Sequence, residues 1–157
     1  MRGAWCHTLV LSRANAPREA VHRALLVAEA LARWTVPAGM VGHVHEIDAR
    51  EGGSLRISLT YYEPTKPGKT AARTDTCHGH FQRLVPNEQV VEVFELETTD
   101  PELRGVTTTM MNLADVDGGT DVVAHGGIPG GVSTVDNETG TRMALANLPA
   151  LVEASSP

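Results

Sequence analysis

The chain has 157 residues, a net charge of −6 and a pI near 5.6. An acidic balance without any cluster of Lys and Arg argues against a nucleic-acid or anionic-membrane surface. No apolar run reaches the roughly 18 residues of a membrane span, and the start Met1-Arg2-Gly3-Ala4-Trp5-Cys6 lacks a long apolar core, so a cytoplasmic protein is expected.

The length suits one domain over residues 1–157, large enough to enclose a cavity. Cys6 and Cys77 form no C-x-x-C pair and no zinc spacing, so both are expected as free thiols. Aromatic residues make up only 4%, which leaves a core either roomy or filled by Leu, Val and Met.

In chain order, His7 to Ser12 reads as a first strand. Asn15-Ala16-Pro17 then supplies a cap and an initiating proline for a helix over Glu19 to Val27. A second short helix runs from Ala28 to Trp34 and ends at Pro37-Ala38-Gly39. Met40 to Asp48 and Leu55 to Tyr62 form strands joined by a glycine-ended turn, and Glu63 to Ala72 reads as a loop. Thr74 to Val85, Val90 to Thr98, Val106 to Leu113 and Thr120 to His125 are further strands. Their connections are too short for crossover helices, so the six later strands form an antiparallel meander.

Ser133 to Ala154 is the one long helix. Leu145, Leu148 and Val152 lie on one face, and Ser133 and Asp136 offer capping oxygens. Pro149 breaks the bond to Leu145, so the helix either kinks there or has a separate, frayed last turn. Helices on one face of an antiparallel sheet make an α+β layer fold, and the element pattern by itself goes no further.

Several motifs in order carry a resemblance. Ala16-Pro17-Arg18-Glu19-Ala20-Val21, Ala30-Leu31-Ala32-Arg33-Trp34, Asp48-Ala49-Arg50-Glu51-Gly52-Gly53 and Gly79-His80-Phe81 ahead of Leu84-Val85-Pro86 resemble bacterial proteins similar to the activator of Hsp90 ATPase. These belong to the SRPBCC superfamily, also called START or Bet v 1-like. The resemblance implies a helix-grip fold: a curved antiparallel sheet wrapped around the long C-terminal helix, with two short helices after the first strand and often an apolar ligand cavity. It implies little chemistry, because the superfamily spans carriers, receptors and cyclases. Four positions depart from the family: Thr141 after Gly140 where a Trp is usual, Cys77 and His22 where aromatic residues are usual, and Pro149 within the last helix. Thr141 shares the face of Leu145, so the missing ring either enlarges a pocket or is compensated by its neighbours.

Leu55, Ile57, Leu59 and Tyr61 alternate along one strand and are expected to face the helix; Cys77, Gly79 and Phe81 are the equivalent set on the next. Beyond them come Val90, Glu92, Phe94 and Leu96. An inward Glu92 would be a candidate catalytic acid or base, whereas the alternative register turns Val91 and Val93 inward and leaves Glu92 solvated. The expected ligand-binding residues are Trp34, Leu55, Ile57, Leu59, Tyr61, Cys77, Phe81, Phe94, Met111, Thr141 and Leu145. Seven histidines include the pairs His43/His45 and His78/His80, but the second pair turns outward, and neither a metal site nor a cofactor is expected. Asp48 and Arg50 can pair across a hairpin. Gly126 to Gly131 lacks the Gly-Lys-Ser/Thr ending of a phosphate loop and reads as a flexible turn.

The leading expectation is a monomer or homodimer that binds a small hydrophobic or amphipathic molecule between sheet and helix, with acid/base chemistry left open. The rival is a co-chaperone-like interaction module with a filled core.

Overall fold

A computed structural model describes residues 6–63, 73–101, 103–130 and 133–154. The elements are β1 (Cys6–Ala14), α1 (Arg18–Ala24), α2 (Ala28–Trp34), β2 (Met40–Ile47), β3 (Ser54–Tyr61), β4 (Thr74–Val85), β5 (Gln89–Leu96), β6 (Thr107–Val116), β7 (Gly119–Ile128) and α3 (Thr134–Ala154). All seven strands join one antiparallel sheet in the order β1-β7-β6-β5-β4-β3-β2. The meander of six is as expected, and β1 returns to lie beside β7. The architecture is the α+β helix grip.

Four local expectations are corrected. Helix α1 is one short piece ending at Ala24, because Leu25 closes it as a C-cap and Val27 is already extended. Its N-cap is Pro17 without a side-chain bond, while the Asn15 amide donates instead to Glu153 Oε2 at 2.8 Å. Gly126, Gly127 and Ile128 are strand rather than flexible turn: Gly126 pairs with both Thr8 and Thr109, and Thr8 Oγ1 occupies the space a Cβ at Gly126 would need. Pro149 neither ends the helix nor frays it, since α3 continues to Ala154 and Val152 beyond the proline is buried. Of the expected loop from Glu63 to Ala72 only Glu63 lies within the described residues, and Gly131 also lies outside them.

The sheet curls because its ladders are interrupted and its backbones crowd. Bulges fall in β2 between Val44 and Glu46 and in β4 between Phe81 and Arg83, each adding bend and twist. Gly79 sits so close to β5 that a Cβ there would fall 1.9 Å from the Val93 carbonyl oxygen. On the concave side Val10, Leu55, Ile57, Phe81, Val90, Met111, Leu113 and Val122 form one buried cluster with Val21, Leu25 and Leu31 of the short helices and Leu145, Leu148 and Val152 of α3.

Helix α3 approaches the sheet at its edge strand β1 and packs on α1 and α2. Ser133 caps it, with its Oγ accepting from the Asp136 amide at 3.1 Å. Three bonds then lace the helix to β1 and the residue just past its end. The Leu9 amide donates to Glu138 Oε2 at 3.1 Å, Ser12 Oγ to the Leu145 carbonyl at 3.1 Å, and Asn15 to Glu153 as above. Seven helical residues at a rise of about 1.5 Å cover the same distance, about 10 Å, as three extended ones. Helix and strand therefore run parallel and in step.

Candidate ligand-binding site

Residues opposite one another in an antiparallel sheet share a face. One inward row runs Phe81, Glu92, Thr109, Gly126, Thr8 across β4, β5, β6, β7 and β1. Phe81 is fully buried, which fixes the face: Glu92 points into the concavity, and Val91 and Val93 point out. Towards the end of the sheet where β5 finishes and β6 begins, the next inward rows are Leu55, Gly79, Phe94, Thr107 and then Ile57, Cys77, Leu96. In the opposite direction the row Val90, Met111, Ala124, Val10 is buried throughout.

This divides the expected lining residues into two groups. Trp34, Leu55, Ile57, Phe81, Met111 and Leu145 are buried in the packed core. Trp34 is committed there, with Nε1 donating to the Ala24 carbonyl at 2.8 Å. Leu59, Tyr61, Cys77, Glu92, Phe94 and Thr141 all keep accessible surface. The strand residues of that second group gather at one end of the concave face. These strand residues leave the inward face at this end only partly covered. With helix and strand in step, Thr141, three residues past Glu138, falls level with Val10, one inward row along β1 from that of Glu92 and Thr8.

Glu92 is the unusual member. Part of the residue's surface stays accessible, and its carboxyl oxygens are not among the fully buried polar atoms that lack a partner. It makes no side-chain hydrogen bond or ion pair among the described residues. Burial alone pushes its carboxyl up to about 7. The Cys77 thiol is pushed up to about 12, by burial first and then by the charge of Glu92. Cys77 is thus a protonated, inert lining group rather than a nucleophile.

Sequence reasoning passed over Thr107 and Thr109, although they alternate with Met111 and Leu113 along β6 and so had to share their face. The convex face holds the histidines. His78 and His80 are exposed, and His78 Nδ1 lies 3.0 Å from Glu97 Oε2. Arg56 grips the same Glu97 with two bonds of 2.7 and 2.8 Å, which holds that carboxyl down at about 2. The His43 and His45 rings meet edge to face at 4.5 Å, and His45 Nε2 shares a 2.7 Å bond with Ser58 Oγ. Arg50 and Asp48 pair at 2.7 Å as expected. His22 on α1 has a buried Nε2 without a partner, and burial lowers its pKa. Among the described residues no three His, Cys, Asp or Glu side chains converge as a metal site would need. None of the helices is long and apolar enough to cross a membrane.

Two depressions lie away from the concave face. One, about 660 Å³, sits on the convex side around Arg83, Val91 and Met110, where the β4 bulge distorts the ladder. The other, about 220 Å³, lies between the short helices and the end of α3, rimmed by Arg23 and Arg33.

A curved antiparallel sheet holding a C-terminal helix over a partly open concave face defines a helix-grip protein of the SRPBCC type. The chain belongs to the Activator of Hsp90 ATPase homolog 1-like protein family, whose model matches residues 15–153. It is similar to a protein of known structure from Chromobacterium violaceum, at 30% identity and a TM-score of 0.83, covering 94% of this chain and 96% of that one. A protein from Arthrobacter aurescens shares the fold at 14% identity and a TM-score of 0.80, covering 94% and 86%. The AHSA1-like protein from Aeromonas hydrophila does so at 17% identity and a TM-score of 0.71, covering 96% and 94%. No curated protein sequence matches the chain.

Proposed function

We propose that this protein binds a small hydrophobic or amphipathic molecule between the concave sheet face and the N-terminal half of α3. The supporting observation is the set of inward side chains that keep accessible surface towards one end of the sheet: Glu92, Phe94 and Leu96 on β5, and Cys77 and Leu59 on the strands beside it, with Glu92 lacking a side-chain partner among the described residues. A fully packed interior would have buried them with Phe81 and Met111. The test is binding of a neutral apolar fluorophore, N-phenyl-1-naphthylamine. Wild type should bind it and Thr141→Trp should not, while folding cooperatively with equal or higher thermal stability. Undiminished binding by Thr141→Trp would place the pocket elsewhere. Failure of both proteins to bind would favour the interaction-module reading.

A second reading adds catalysis. Glu92 is part-buried, has no side-chain partner among the described residues and is pushed up by burial to about 7, so it is able to exchange a proton with a bound molecule. Glu92→Gln keeps the shape and removes that exchange. A catalyst would then keep ligand affinity and lose turnover, and a carrier would lose neither.

A further inference from the structure

Resting on the binding reading above, the geometry points to a ligand that carries a protonated amine at one end of an apolar body, its ammonium group held by Glu92 and the hydroxyl of Thr109. The first ground is the charge pattern of the wall. Among the described residues the inward positions of all seven strands hold no Lys, Arg or His. They do hold three carboxylates: Glu92, Asp75 at the margin opposite Leu59, and Asp115 at the other end, which pairs with Arg18. Each cation on the strands faces outward, where Arg13 pairs with Asp121 and Arg56 with Glu97. An anionic head group such as a fatty-acid carboxylate would meet no counter-charge on these strands and would face a like charge at Glu92.

The second ground is the state of Glu92. A carboxyl set among apolar side chains on a concave face ordinarily finds a partner, because it keeps only part of its solvation. Glu92 has no side-chain partner among the described residues, although its neighbour in the row, Thr109, stands directly opposite. The two present three oxygen acceptors side by side: two from the carboxylate and one from the hydroxyl. That suits an ammonium group, which has three donors and no acceptor. Along β5 from Glu92, Phe94 and then Leu96 supply the apolar wall for the rest of the molecule.

The experiment uses the full chain at pH 8 and follows displacement of N-phenyl-1-naphthylamine by decylamine, decanol and decanoate, which share one tail. Decylamine should displace the probe at about a tenth of the decanol concentration or less, as a charge-assisted bond to a carboxylate implies. Decanoate should be the weakest of the three. In Glu92→Gln the advantage of the amine should vanish while decanol binds as before, which shows that the pocket is intact. Decanoate equal to or stronger than decylamine, or an amine preference that survives Glu92→Gln, would overturn the proposal and leave the binding reading standing. If neither the probe nor any of the three binds wild type, both fall together.

Discussion

Ser12 supplies to the carbonyl of Leu145 the hydrogen bond that Pro149 withholds. In an unbroken helix the amide of residue 149 would bond that carbonyl, and proline has no amide hydrogen to give. The Ser12 hydroxyl reaches across from β1 to take its place at 3.1 Å. A proline in a helix interior costs about 3 kcal/mol in the absence of such compensation.

The pair therefore predicts a coupling. Ser12→Ala should destabilise the wild type by about 1–3 kcal/mol, the usual cost of orphaning a partly buried carbonyl. In a Pro149→Ala background, where a helical amide is restored, the same change should cost clearly less. Urea denaturation of the four proteins in the cycle measures the difference, and equal costs in both backgrounds would show that the two residues act independently.

Gly140 precedes Thr141 inside α3, and a Cβ there would meet nothing within 4 Å. Gly140→Ala should then contribute helix propensity without a clash, about 1 kcal/mol. For a domain of this size that is a rise in Tm of about 2–4 °C. Calorimetry checks it, and a drop in Tm would mean that the space beside Gly140 is occupied.

Glu92 makes stability fall as pH rises. Its folded pKa of about 7 lies above its unfolded value near 4.5. Between those values the folded chain binds the extra proton, so the protonated side chain favours folding below pH 4.5 and the advantage is lost on approaching pH 7. The full window corresponds to about 3 kcal/mol. Glu92→Gln should flatten this part of the profile, measured by denaturant unfolding between pH 5 and pH 8. Glu97, held near 2 by Arg56, acts in the other direction and only in stronger acid.

Cys77 should react slowly with iodoacetamide at pH 8 in the native state, because a thiol pushed up to about 12 is almost wholly protonated. Unfolding in urea should restore ordinary thiol reactivity at this position, as followed by mass spectrometry of the peptide that contains it. Fast labelling of the native protein would contradict the environment described for the inner face.

Most of the strand ladder was legible because alternation along β3 and β4 is strict, with Leu55, Ile57 and Leu59 on one face and His78 and His80 on the other. The inward register of β5 could not be decided from its own residues, since Val91 and Val93 are as apolar as Val90 and Phe94. It is settled by the neighbour, because Phe81 is buried and Glu92 stands opposite it. Nor could the sequence separate Phe81, in the filled part of the interior, from Phe94, on the open wall. That distinction depends on where α1, α2 and the C-terminal half of α3 lie over the sheet, a tertiary arrangement that no local pattern encodes. The strand character of Gly126 and Gly127 was hidden for a similar reason, as glycine has little intrinsic preference for strands and is held there by pairing with β1 and β6.

The lacing of α3 to β1 also settles what an open sheet would present to other chains. An edge strand with free amides and carbonyls is a template for intermolecular pairing. Here Glu138 occupies the Leu9 amide and Glu153 that of Asn15, while the helix backbone lies alongside. The far edge is blunted differently, by the bulge in β2 and the helix α2 packed beside it. The two devices differ in kind: the bulge belongs to the strand, but the guard on β1 is a separate element, the helix α3. Detachment would expose β1 together with Leu9 and Leu11 on its outer face, 55% and 64% accessible even in the intact fold. The docking of α3 thus keeps the β1 edge from pairing with other chains.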